Sequence, residues 1–287
     1  MLRIIFVLVL VVFLAGCGSA IEKGDEAYKA GQYAKAVGYY TKALEDTKLK
    51  PKDKADIYLR LGKAYEGMDR LPEAIEDYRQ AVDLRPDFHN AYIVMAEALD
   101  KMGMYEDEVR ALNNALILDA NNPHTESHLG NAYGRLGQYE NAKDAFEKAV
   151  SQNPRDSQNY VNLGLVYDKM GDTGKAITYW EEALKINPVD EVALQNLGMV
   201  YNRTNRYKEA EASYIKLIAL KPAVPKFHGD LGVIYYNEGK YAEAYKEFET
   251  IRVLDSNFPQ LQDMLRLAKR GMEKRTGHTP EKRASKK

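Results

Sequence analysis

Cysteine is almost missing from this sequence. Cys17 stands alone, so no disulfide can close within the chain and no cysteine-based metal site can be built. Charge of either sign is also missing as an excess. The formal net charge is −1, which gives no electrostatic case for a nucleic-acid partner. Local nucleotide and zinc-hydrolase signatures are absent too: there is no G-x-x-x-x-G-K-[ST], no G-x-G-x-x-G after a strand and no H-E-x-x-H. Long apolar runs are missing except at the N-terminus. There Ile4 to Leu14 is unbroken, yet it falls short of the roughly 20 residues a membrane-spanning helix needs.

What is present is helix. Pro123 to Asp156 reads as two short helices and the turns that bound them, about 124–136 and 139–152. Gly137 stops the first helix, because glycine accepts the left-handed conformation of a C-terminal turn. Asn153-Pro154 stops the second, because proline lacks an amide donor and disfavours helix in the residue before it. Leu129 and Tyr133 share one face of the first helix, and Ala142, Phe146 and Ala149 share one face of the second. Gly130 and Ala142 let the helices approach, and Tyr133 and Phe146 fill the space beside them. A lone hairpin of this size cannot bury its apolar face and needs a neighbour of the same shape.

The neighbours recur every 34 residues. Leu129, Gly130 and Tyr133 step forward to Leu163, Gly164 and Tyr167, then Leu197, Gly198 and Tyr201, then Leu231, Gly232 and Tyr235. They step back to Met95, Ala96 and Leu99, then Leu61, Gly62 and Tyr65. The second helix repeats Ala74, Ala142, Ala176, Ala210 and Ala244, each followed by Tyr78, Phe146, Trp180, Tyr214 and Phe248. Pro86, Pro154, Pro188 and Pro222 close units. The pattern resembles the tetratricopeptide repeat (TPR) family, W-x2-L-G-x2-Y, then Ala, Phe and Pro. The resemblance implies an all-α, right-handed α-solenoid of about seven helix-turn-helix units, behaving as one quasi-linear body.

Six units run in register from about 55 to 258. The unit from His89 to Asn122 departs from the pattern, with Ala96, Glu108 and Ala120 replacing glycine, alanine and proline. A divergent first unit holds Gly24, Ala36, Tyr40 and Ala43, and its extra residues fall in Thr47 to Lys54, read as a longer polar turn. Residues 259–275 are expected to form an amphipathic capping helix, and 276–287 a disordered basic tail.

The start of the chain has its own signature. A short basic segment, the apolar run and Leu14-Ala15-Gly16-Cys17 resemble a lipoprotein signal peptide with its lipobox, residues 1–16. That resemblance implies lipidation of Cys17, cleavage before it and a membrane anchor. Gly18 after the cysteine favours the periplasmic face of the outer membrane over inner-membrane retention. An ordinary cleaved signal, an uncleaved anchor and a Gram-positive surface are the alternatives.

Function is expected on the surface that stacking creates. In the family, the second, fifth, ninth, twelfth and thirteenth positions of each first helix face a concave groove. The thirteenth holds Lys101, Arg135, Lys169 and Arg203, and the twelfth Glu66, Asp100, Gly134, Asp168 and Asn202. By this reading Arg135 and Arg203 lack an adjacent acid. The ninth holds Lys63, Glu97, Asn131, Leu165, Met199 and Val233, with Val161 and Val192 adding to an apolar half. The candidate groove is therefore Lys101, Asn131, Arg135, Val161, Leu165, Lys169, Met199, Arg203 and Val233, and its partner a protein or peptide. The family's two-carboxylate clamp is not supported, since Ser127, Val192 and Asn196 stand where its basic residues belong. His124 and His128 lie four apart on one helix but have no evident third ligand. No catalytic residue, metal, cofactor or small-molecule substrate is expected.

Overall fold

The computed structural model describes residues 20–275, and every regular element among them is an α-helix. The expected signal peptide, Cys17 and the tail from Thr276 lie outside those residues. The helices are α1 (20–29), α2 (Tyr33–Leu44), α3 (Pro51–Glu66), α4 (Leu71–Leu84), α5 (His89–Lys101), α6 (Tyr105–Leu118), α7 (Pro123–Arg135) and α8 (Tyr139–Gln152). They continue as α9 (Ser157–Lys169), α10 (Thr173–Ile186), α11 (Glu191–Arg203), α12 (Tyr207–Leu220), α13 (Pro225–Glu238), α14 (Tyr241–Leu254) and α15 (Leu261–Arg275). Consecutive helices pack into hairpins, and within each compact unit neighbouring hairpins pack on one another. The chain divides into two compact units, residues 1–153 and 154–287. The boundary falls between repeats, the natural place in an array whose units touch only their neighbours.

Glycine and a ring key most hairpins together. A Cβ on Gly130 would lie 2.8 Å from the ring of Phe146, and Gly62, Gly164, Gly198 and Gly232 sit closer still to Tyr78, Trp180, Tyr214 and Phe248. The unit of α5 and α6 solves the same problem differently. Ala96 adds a methyl where the others have none, and Leu112 replaces the ring, with both side chains buried. The two departures compensate, so the hairpin keeps its close packing.

In unit 2, two first-helix tyrosines tie their hairpins to the one before. Tyr201 donates to Glu181 at 2.6 Å and Tyr235 to Glu211 at 3.1 Å. Cations of the following turns cover these rings, Arg206 over Tyr201 and Lys240 over Tyr235.

The turns follow local rules. Gly103, Gly137, Gly171 and Gly239 take positive φ between the helices of a hairpin, and Asp69 and Asn205 do so in two others. Asn122, Asp156 and Asp190 cap α7, α9 and α11 by accepting from the amides of Thr125, Gln158 and Ala193. Asp190→Ala is expected to cost about 1 kcal/mol, read by denaturant unfolding of the full chain.

Two boundaries differ from the sequence reading. Pro51 to Lys54 do not extend a turn; they add a helical turn to the start of α3. Proline at the first helical position needs no amide partner, and Asp53 favours the positive end of the helix dipole. The closing helix starts at Leu261 and does more than cover an end. Leu261, Leu265 and Ala268 are buried one repeat length after Phe227, Leu231 and Ile234, so α15 takes the place of a further first helix.

Candidate functional site

In unit 2 the packing of the first helices decides which side chains reach solvent. α9 buries Leu163, Gly164, Val166 and Tyr167, and α11 buries Leu197, Gly198, Val200 and Tyr201. The residue between each pair is turned outward. Leu165, Met199 and Val233 are 37, 47 and 38% exposed, large apolar side chains at one position of three successive repeats. Leu267 of α15 continues the row at 48%. The capping-helix pattern of α15 ends the expected row at Val233, although one further step of the repeat length reaches Leu267.

Beside this row runs a ladder of polar pairs. Arg203 bonds Asp168 at 2.5 Å and Asn237 donates to Asn202 at 3.0 Å. Unit 1 repeats the arrangement, with Lys101 to Glu66 at 2.5 Å and Arg135 to Asp100 at 3.5 Å. The expectation that Arg135 and Arg203 lack an adjacent acid is therefore corrected. No acid stands beside either arginine in its own helix; the partner sits on the preceding repeat's first helix. These pairs are exposed, so each contributes at most about 1 kcal/mol to stability. They leave the ladder close to neutral. Arg135 also donates to the Tyr105 hydroxyl at 3.4 Å. Lys169 is exposed and makes no ion pair among the described residues.

Val161 is a second correction. Its side chain is fully buried in the α9–α10 hairpin, and its carbonyl accepts from Trp180 Nε1 at 3.1 Å. A branched apolar residue at the fifth position is drawn into the core instead of lining a groove. Val192, at the second position of α11, does reach solvent at 47%. Asn131 is exposed on α7.

Unit 1 has a different character. Its ninth positions carry Lys63, Glu97 and Asn131 in place of apolar residues. Two carboxyl groups are buried there as well. Asp77 of α4 and Glu108 of α6 are both pushed up to about 7, chiefly by loss of water, and neighbouring acids add to the effect. Among the described residues no three His, Cys, Asp or Glu side chains gather to hold a metal, and no helix is long and apolar enough to cross a membrane.

Repeated hairpins with a row of exposed side chains along the first helices define a repeat scaffold for protein–protein interaction. Tetratricopeptide repeat models match residues 21–89, 59–123, 121–189 and 192–224. The chain belongs to the tetratricopeptide repeat family. It is 31% identical over 109 residues to the DnaJ homolog subfamily C member 7 homolog of Dictyostelium discoideum, covering 38% of this chain and 20% of that protein. The chain thus spans about a fifth of the length of the curated relatives it matches. Two solved structures share the fold. PilW, a widely conserved type IV pilus biogenesis factor, has a TM-score of 0.60 at 18% identity, covering 74% of this chain and 98% of its own. YrrB, a TPR protein with an unusual peptide-binding site, has 0.55 at 22%, covering 69% and 99%.

Proposed function

We propose that this protein is a lipid-anchored adaptor of the bacterial cell envelope that holds a segment of a partner protein on the first-helix face of unit 2. The observation that carries the reading is the row of Leu165, Met199, Val233 and Leu267, exposed at one repeat position. Solvent-facing leucine and methionine recurring on adjacent helices form an apolar strip that an extended or helical segment can cover. The polar ladder through Arg203 and Asp168 borders it and offers hydrogen bonds to the partner's backbone. The same reading makes the protein a scaffold and not an enzyme.

The anchor rests on the lipobox sequence at Cys17, and the outer-membrane destination on Gly18. Dual acylation gives stable anchoring that a single chain does not. A role in pilus or secretion assembly draws support from the fold shared with PilW, and recruitment of peptidoglycan enzymes is the other envelope role considered. A soluble or inner-membrane-tethered scaffold is the second reading, favoured if Cys17 carries no lipid. Labelled palmitate fed to cells should enter the native chain and not Cys17→Ser.

A photo-crosslinking residue at Met199 in intact cells should capture one envelope protein reproducibly. The same residue at Lys216, exposed on the second helix α12, should not. Equal capture at both positions, or none at Met199, would sink the groove reading.

A further inference from the structure

The apolar row ends at a cavity of 580 Å³ beside α15. Its walls include Tyr236, Tyr241, Leu267, Arg270, Lys274 and Arg275. We infer that this cavity receives an acidic cluster on the bound segment, so that the partner carries apolar side chains with two or more aspartates or glutamates at one end. The inference rests on the groove reading above and gives that groove a direction.

The charge pattern is the first support. Elsewhere on the helices, cations often meet an acid three residues away, as in Lys185–Glu182, Arg206–Glu209 and Arg266–Asp263. In the last turns of α15 this stops. Arg270, Lys274 and Arg275 make no ion pair among the described residues. The carboxylate at the cavity, Glu238, lies 2.9 Å from Lys240, which also bonds Glu211 at 3.0 Å. Three cations therefore share one concavity with a single acid. Basic residues in a last helical turn do offset the helix dipole, which accounts for the sign of Lys274 and Arg275. It does not account for Arg270, one turn earlier, joining them around the same space.

The construction of the cavity is the second support. Gly271 has no Cβ, so the ring of Tyr241 seats directly against the backbone of α15. Tyr236 meets Tyr241 edge to face with centroids 5.2 Å apart, giving a firm aromatic wall. Arg275 is held by donating to the Gly239 carbonyl at 2.9 Å. Arginine suits this task because its planar fork can grip a carboxylate through two parallel bonds. Leu267 belongs both to the apolar row and to the cavity wall, so a chain lying on the row reaches the cations without a break. None of these residues occupies the positions of the two-carboxylate clamp, where this chain has Ser127, Val192 and Asn196.

The test is a random peptide library displayed on phage, selected on the full chain and in parallel on Met199→Ser and on R270Q/K274Q/R275Q. Peptides selected on the native chain should combine apolar residues with an acidic cluster at one end. A synthetic version should bind R270Q/K274Q/R275Q about tenfold more weakly, a difference of about 1.4 kcal/mol. Changing its Glu to Gln should lose the same factor on the native chain and nothing more on the triple variant. Apolar peptides without acidic enrichment, or equal affinity on the triple variant, would overturn the acidic site and leave the groove standing. Peptides that bind Met199→Ser as well as the native chain would overturn the groove reading itself, and enrichment of no peptide would overturn both. The three cations are exposed, so the variant should fold, and a helical melt equal to that of the native chain confirms it.

Discussion

Gly164→Ala is expected to destabilise unit 2 by up to about 2 kcal/mol, although alanine is the better helix former. Two terms compete. Removing glycine from a helix interior gains about 1 kcal/mol. Inserting a methyl into a filled core costs about 1–3 kcal/mol. The second term wins here because the neighbour cannot give way. The new Cβ would press on the indole of Trp180, which is 2% exposed and fixed by its bond to the Val161 carbonyl. The pairing of Ala96 with Leu112 supplies the control. In a Trp180→Leu background, Gly164→Ala should cost nothing or stabilise, giving a coupling of about 1 kcal/mol or more in a double-mutant cycle. Trp180 is the only tryptophan, so its fluorescence follows unit 2 in the single variant, and circular dichroism follows both. Additive effects of the two substitutions would remove the close-packing account.

The repeat length, the hairpins and the buried rows were legible because they depend on local spacing. A glycine and a ring sixteen residues apart recur at fixed offsets, and a sequence shows offsets directly. The helix at Tyr139–Gln152 could be placed to the residue for the same reason. What the sequence hid was lateral. Arg203 and Asp168 lie on different helices, and nothing within either helix reports the neighbour. Val161 looked like its solvent-facing counterparts because family position alone was used, and a branched side chain there finds the core. Leu267 is hidden because α15 has the amphipathic pattern of a capping helix, although its spacing follows the repeat.

The groove also gains its contrast from the core. Leu165, Met199 and Val233 face outward while their neighbours Gly164, Gly198 and Gly232 lie against the rings of the second helices. Variants at those glycines should therefore reduce partner capture at Met199 as well as stability, in proportion to the unfolded fraction. Variants on the exposed row should reduce capture alone.

Glu108→Ala should change sign with pH. Glu108 is 4% exposed, its Oε2 has no hydrogen-bond partner among the described residues, and six other repeats place alanine at its position. Burial pushes its carboxyl up to about 7 from an ordinary 4.5; Asp100 adds to the rise and Arg135 opposes it. The folded state thus holds a proton that the unfolded state releases. Stability tied to Glu108 is fully present below about 4.5 and is lost as pH rises through about 7. Asp77 adds to the same trend, its carboxyl pushed up to about 7 from 3.8. At pH near 8 the native chain buries an ionised carboxylate with one oxygen unsatisfied, a penalty of about 1–3 kcal/mol that alanine removes. At pH near 5 the side chain is neutral, and alanine only forfeits buried methylenes worth about 0.8 kcal/mol each. Glu108→Ala should therefore melt above the native chain at the higher pH and below it at the lower. Trp180 fluorescence, which reports unit 2, should show little change in either case, since each repeat couples chiefly to its neighbours. A melting point that moves the same way at both values would mean that Glu108 is solvated in the folded chain. The one acid in the alanine row would then be a surface residue and not a buried charge.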